Sequence, residues 1–100
     1  MSTLFTVSAS WFAKPALYEQ LGFAQKGDSM LLLQDAVLGL QSPIALASFL
    51  AKCAREEILV YGLADDVAIR GVDNQYDSVE LLDYSGFVDL VIRHDKQVAW

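Results

Sequence analysis

The fold class is decided by one stretch of sequence, GDSMLLLQD, at Gly27–Asp35. The turn-forming pair Gly27-Asp28 leads into the apolar run Met30–Leu33, and the polar pair Gln34-Asp35 follows it. A continuous apolar run between polar residues is typical of a strand that is buried on both faces, as the strands of parallel sheets are. Because such a sheet needs helices on both sides, this stretch predicts an α/β protein.

Working outward from that strand, similar signals predict four more strands, at Thr3–Ser8, Ile58–Tyr61, Val79–Leu82 and Gln97–Trp100. Helical signals lie between them. They predict a helix from residue 10 or 15 to 25, a short turn capped by Asp35 and ending at Leu40, a helix capped by Ser42-Pro43 and ending near Ala54, a short helix capped by Asp65 or Asp66, and a helix from Asp83 or Ser85 to Arg93. This alternation predicts one domain over residues 1–100. Its architecture would be a three-layer α/β sandwich with a mostly parallel sheet of about five strands.

The composition restricts the class of protein. Apolar residues, with tyrosine counted, make up 54% of the 100 residues, and the net charge is −6. A domain this small has little interior for so many apolar side chains, which predicts association with another subunit. The negative charge argues against direct binding to nucleic acid or to an anionic membrane. A single cysteine and the absence of a run of about 18 apolar residues predict a cytoplasmic protein without a membrane span.

Few residues offer chemistry of their own. Neither a GxGxxG nor a GxxxxGK[ST] motif occurs, and one cysteine with one histidine cannot form a zinc site, so we expect no cofactor and no metal. His94 falls in the last turn of the final helix, where it would complement the helix dipole rather than serve a catalytic triad. We interpret Asp65 and Asp66 as capping and solvated residues.

Cys53 is the only strong nucleophile candidate. Leu46, Leu50 and Cys53 are spaced i, i+4 and i+7, so they share one helix face, and that apolar face should pack on the sheet. A thiol buried there would have a raised pKa and would be inert. The alternative is a sulfur carrier, activated by Lys52 and Arg55 if the helix end frays.

Three segments together resemble the TusB/DsrH family of sulfur-relay proteins. They are Gly27–Val37, Val60–Gly71, and Asp83–His94 followed by Gln97–Trp100. They match the patterns GD-x-LLLQD-x-V, VYAL-x-ED-x-x-ARG, and DY-x-x-FV-x-L with a terminal Trp. Leu4–Ser8 also looks like the family's opening strand. The resemblance therefore covers nearly the whole chain in the same order.

The resemblance implies a DsrE-like fold and assembly with TusC/DsrF-like and TusD/DsrE-like paralogous subunits as a dimer of heterotrimers. In the thiolation branch, such a complex passes persulfide sulfur through a TusE/DsrC-like acceptor toward 2-thiouridine at the tRNA wobble position. In the DsrEFH branch, the related complex serves sulfur oxidation. The resemblance also implies that the reactive cysteine belongs to the TusD/DsrE-type subunit, at the end of the third strand.

In this chain the corresponding position is Leu63, which cannot accept sulfur. Some DsrH-type members carry a cysteine shortly after the first strand, but Ser8–Trp11 has none. The leading hypothesis is therefore a non-catalytic scaffold subunit. The alternatives are a sulfurtransferase that uses Cys53 and a stand-alone flavodoxin-like binding module that uses the loops at Gln34-Asp35 and Gly62–Asp66.

The candidate interface residues lie mainly at the predicted carboxyl ends of strands, where open α/β sheets bind ligands. They are Gln34, Asp35, Leu63, Asp66, Tyr84, Phe87 and Trp100. Tyr84 and Phe87 would either begin a helix at a functional edge or belong to the core. Trp100 would either cover the chain's own core or contact a neighbouring subunit.

Overall fold

The computed structural model describes residues 2–9, 24–44 and 46–99. Five strands are present in this part of the chain: β1 (Thr3–Val7), β2 (Ser29–Leu32), β3 (Leu59–Leu63), β4 (Val79–Leu82) and β5 (Lys96–Ala99). The helices are a 3-10 helix, η1 (Gln34–Gln41), and three α-helices, α1 (Ala47–Arg55), α2 (Ala64–Ile69) and α3 (Tyr84–Arg93). No helix in these ranges is long and apolar enough to cross a lipid bilayer.

All five strands are parallel, in the order β4-β3-β2-β1-β5. The register pairs Phe5 with Met30 and Met30 with Val60. Strand β2, predicted from its apolar run, has a strand on each side and is buried throughout. The parallel α/β prediction is therefore confirmed, with the sheet wholly rather than mostly parallel.

Apolar residues form a cluster on each face of the sheet. The larger cluster joins β1, β2 and β3 to η1, α1 and α2, and Phe49, Leu40 and Val37 are almost fully buried within it. The smaller cluster is built from Leu4, Leu31, Tyr61 and Leu90, so α3 is its described helix. Side chains on the strands point alternately to the two clusters, as the pleat of a buried strand requires. The predicted helices on both faces are confirmed.

Asp28 has a structural role in the Gly27-Asp28 turn. Its carboxylate is 5% exposed and accepts hydrogen bonds from the backbone N–H of Thr3, at 2.9 Å, and of Gln25, at 2.8 Å. Gly27 has φ +93°, a conformation that side chains rarely adopt. This turn therefore ties the start of β1 to the start of β2.

Two helix boundaries differ from the prediction. Ser42-Pro43 was expected to cap a helix, but α1 begins only at Ala47. The Ser42 hydroxyl accepts a hydrogen bond from the Ile44 N–H at 3.3 Å, so the serine closes a local turn instead. The predicted first helix lies largely outside the described residues, and the two residues at its end that are described, 24 and 25, are not helical.

The last helix follows the prediction closely. Asp83 is its N-cap, and its side chain accepts a hydrogen bond from the Gly86 N–H at 2.8 Å. Satisfying an unpaired N–H in the first turn is what makes aspartate a preferred N-cap. The helix ends at Arg93, and β5 then pairs with β1.

Candidate functional site

The carboxyl ends of β2 and β3 are joined by one group of polar residues, the Asp66 cluster, consisting of Gln34, Asp35, Asp66 and Arg70. The Asp66 carboxylate accepts a hydrogen bond from the Gln34 backbone N–H at 2.7 Å. The Arg70 guanidinium lies 3.6 Å from the same carboxylate and 3.2 Å from that of Asp35. The cluster therefore links the segment after β2 to the helix after β3.

Backbone geometry adds to this arrangement. Gln34 has φ +51°, in the left-handed region that costs about 1–2 kcal/mol for a side chain with a Cβ. The Asp66 carboxylate receives the N–H of this same residue, and its side chain is only 17% exposed. A charge-assisted hydrogen bond in partial burial is strong enough to hold the strained turn in place.

Two capping predictions were wrong at this edge. Asp65 or Asp66 was expected to cap α2, and Asp35 to cap η1. The N-caps are Leu63 and Leu33, and neither makes a side-chain cap hydrogen bond. Asp66 lies inside the first turn of α2 instead and bonds to the neighbouring segment, because η1 and α2 pack side by side.

Arg70 was missed as a site residue. It belongs to the Val60–Gly71 segment quoted above, and its position four residues after Asp66 was a usable signal for an ion pair on one helix face. The bond from Arg70 to Asp35 could not be inferred in the same way, because it depends on how two separate segments meet in space.

Leu63 is the last residue of β3, is half-buried, and pairs with Leu82 of β4. An aliphatic side chain offers neither a nucleophile nor an acid or base. In the described part of this edge, the polar groups hold the backbone in place, and none of them is a thiol.

Tyr84 and Phe87 form a second group, after β4. Their rings meet edge to face, with centroids 6.1 Å apart. Phe87 packs against the smaller core cluster, whereas Tyr84 is 67% exposed. Phe87 is thus a core residue, and Tyr84 is a surface residue. Trp100 and residues 10–11 lie outside the described residues.

Cys53 lies at the opposite edge of the sheet. It is 1% exposed and lines a cavity of about 280 Å³ with Leu50, Ile58 and Val60. Burial raises the pKa of Cys53 to about 11, although a backbone hydrogen bond acts in the other direction. A thiol with this pKa is almost entirely protonated at neutral pH and is a poor nucleophile. The predicted burial and raised pKa are both confirmed.

His94 makes two hydrogen bonds near the same edge of the sheet, the edge at which the strands begin. Its ring nitrogens lie 2.8 Å from the Leu90 carbonyl oxygen and 2.9 Å from the Ser29 hydroxyl. Since the carbonyl can only accept, Nδ1 donates to it, which matches the predicted role at the end of the last helix. Nowhere in residues 2–9, 24–44 and 46–99 do three histidine, cysteine or acidic side chains group as a metal site would require.

Solved structures share this arrangement of strands and helices. The chain superposes on the protein of unknown function MTH1491 from Methanobacterium thermoautotrophicum with a TM-score of 0.71, at 11% identity, covering 92% of this chain and 89% of that one. The ychN protein from E. coli matches with a TM-score of 0.65, at 20% identity, over the full length of both chains. These likenesses concern the fold, which is a DsrE-like α/β fold.

Sequence comparison defines the family more narrowly. The model of the DsrH like protein family matches residues 9–97. Protein TusB of Photorhabdus laumondii is 37% identical over 76 residues, which cover 75% of this chain and 77% of the relative. Protein TusB of Salmonella dublin is 39% identical over 87 residues, covering 86% and 85%. The chain belongs to the DsrH family, as the resemblance predicted.

Proposed function

We propose that this chain is the non-catalytic subunit of a heteromeric sulfur-relay complex, in which paralogous subunits carry the sulfur toward 2-thiouridine at the tRNA wobble position. One observation carries the proposal. Leu63 occupies the strand end where a sulfur-accepting cysteine would be needed, while the single thiol, Cys53, is buried at the other edge. The chain then supports the relay without joining in the chemistry.

Sulfur transfer between proteins depends on an accessible thiolate, because the thiolate is the attacking species. Cys53 meets neither condition, since it is 1% exposed and its pKa is raised to about 11. Membership of the DsrH family and the apolar composition both support association with other subunits. In this proposal the partners are TusC/DsrF-like and TusD/DsrE-like subunits, and a TusE/DsrC-like protein accepts the sulfur.

The test is to co-express the chain with its two paralogues, load the complex with persulfide sulfur, and read the mass of each subunit. We expect one heteromeric species, with the 32 Da sulfur adduct on a paralogue and none on this chain. The Cys53→Ala variant should assemble and transfer sulfur at the wild-type rate. A sulfur adduct on Cys53, or loss of transfer in Cys53→Ala, would support the sulfurtransferase alternative instead.

The destination of the sulfur needs its own measurement. Deleting the gene should lower the 2-thiouridine content of bulk tRNA, and both the wild-type chain and Cys53→Ala should restore it. If thiouridine is unchanged and growth on reduced sulfur compounds fails, the complex belongs to the sulfur-oxidation branch.

A further inference from the structure

Within the described residues, the two faces of the sheet carry unequal numbers of helices. The connections from β2 to β3 and from β3 to β4 move across the sheet in one direction, whereas the connection from β4 to β5 returns across all the other strands. Crossovers between parallel strands are right-handed, so the returning helix, α3, must lie on the opposite face from α1 and α2. The membership of the two core clusters agrees with this.

Among the described residues, α3 is the helix on its face, and it packs over the middle strands. A helix with its side chains is about 10 Å wide, and five strands spaced about 4.8 Å apart span roughly 19 Å. Leu90 is fully buried over Leu31 and Tyr61. Between α3 and the edge strand β4 lies an open groove, the α3 groove, lined by Tyr61, Glu80, Leu82, Gly86, Asp89, Ile92 and Arg93.

The outer side of α3 is apolar where a surface helix is normally polar. Tyr84, Val88 and Ile92 are spaced i, i+4 and i+8, so they form one stripe, the α3 stripe. Their side chains are 67%, 39% and 74% exposed. Ile92 belongs to both the stripe and the α3 groove, which makes the two features one continuous surface.

We infer that this surface binds a protein subunit whose contact face has an apolar centre flanked by lysine or arginine. The inference rests on the proposed function, since it assigns the surface through which the relay subunit meets its partner. The α3 groove holds two carboxylates, Glu80 and Asp89, against one guanidinium, Arg93. Asp83 adds a third exposed carboxylate at the start of the helix. A partner with basic residues at its rim complements these charges.

The same charges disfavour a second copy of this chain as the occupant. Two copies meeting at this face would bring Glu80 and Asp89 of one copy close to the same groove of the other, and each copy carries a net charge of −6. Like charges placed together at an interface oppose association. The partner is therefore a different protein, and Ile92, the residue that the α3 stripe and the α3 groove share, lies at the centre of its contact.

The test uses the two purified paralogues as probes and measures their dissociation constants for the wild-type chain and two variants. Ile92→Asp should weaken binding more than 100-fold, because it places a charge in the centre of the contact. Ile69→Asp is the matched control, since Ile69 is also exposed, at 78%, but lies on α2 at the other face. That variant should stay within threefold of wild type, and thermal melting should show both variants folded.

Charge reversal examines the rim separately. Asp89→Lys should slow association about tenfold at low salt and reduce the dependence of the association rate on salt.

If neither paralogue binds the wild-type chain, the proposed function fails. If the wild-type chain binds a paralogue and Ile92→Asp binds it equally well, the surface assignment fails and the proposed function stands. A homodimer of the wild-type chain that Ile92→Asp dissociates would overturn the choice of partner.

Discussion

The carboxyl and amino ends of the strands form two edges of the sheet that are stabilised by different interactions. At the carboxyl edge, the Asp66 cluster holds two segments together through polar bonds that stay partly exposed to water. At the amino edge, Cys53 is 1% exposed and belongs to the larger apolar cluster. The edge at which open α/β sheets usually carry chemistry therefore lacks a thiol, and the thiol is buried at the other edge. The comparison shows that the reactivity of the thiol in this chain depends on which edge of the sheet it occupies.

The strongest test of this difference between the edges moves the thiol from the amino edge to the carboxyl edge. In a Cys53→Ala background, Leu63→Cys would place a thiol at the carboxyl edge. We expect iodoacetamide at pH 8 to alkylate it at least about 100-fold faster than it alkylates Cys53 in the wild-type protein, because a pKa of 11 instead of 9.0 lowers the thiolate fraction about 100-fold. Mass spectrometry over time gives both rates. Equal rates would show that burial at the amino edge does not suppress ionisation of the Cys53 thiol.

The second prediction concerns pH and the buried edge. Folding raises the pKa of Cys53 from 9.0 to about 11, so the folded state binds this proton more tightly than the unfolded state does. The resulting stabilisation is present in full below pH 9 and is lost as the pH rises through 11, a loss of about 2–3 kcal/mol.

Urea denaturation of the wild type and of Cys53→Ala at pH 8 and pH 11 isolates this contribution, because the variant shares every other titrating group. The difference in unfolding free energy between the two proteins should fall by about that amount. A difference that does not change with pH would mean that Cys53 is hydrated in the folded protein.

The third prediction tests the polar edge. Asp66→Ala removes the acceptor for the Gln34 N–H and a partner of Arg70, and it should lower the unfolding free energy by about 1.5–3 kcal/mol. Asp65→Ala is the matched control, because the neighbouring carboxylate lies in the same helical turn but is exposed. It should cost less than about 0.5 kcal/mol. Similar losses for both variants would contradict a specific role for Asp66.

The smallest expected effect is a gain. Gln34→Gly removes the cost of the left-handed conformation, about 1–2 kcal/mol. Glycine also makes the unfolded chain more flexible, which lowers the unfolding free energy by about 0.4–1 kcal/mol. The net stabilisation should be about 0.5 kcal/mol, measured by urea denaturation. A loss of stability would show that the Gln34 side chain makes a contribution of its own.

These edges also show how far sequence could predict the structure. Strand β2 and the Asp83 cap were predictable because their signals are local: a run of apolar residues in one case and one side chain beside its own helix in the other. The start of α1 was not, because Ser42-Pro43 satisfies a local turn as well as a helix start.

For the candidate site too, features with a local sequence signal were predictable and features without one were not. The burial of Cys53 followed from the spacing on one helix face and was predicted correctly. The bonds from Asp66 to Gln34 and from Arg70 to Asp35 join residues 32 and 35 positions apart. Nothing in the local sequence indicates such pairs, since they depend on the packing of η1 against α2.

The pairing of β5 with β1 has a consequence for synthesis on the ribosome. Strand β1 emerges early, yet its second neighbour is complete only after residue 99 has been made. Until then β1 presents a free edge, of the kind that invites wrong pairing. The helix that connects β4 to β5 cannot be held at both ends before that point either. A chain cut short before β5 would therefore lack a properly seated α3, and under the proposed binding surface, partner association would select against incomplete copies.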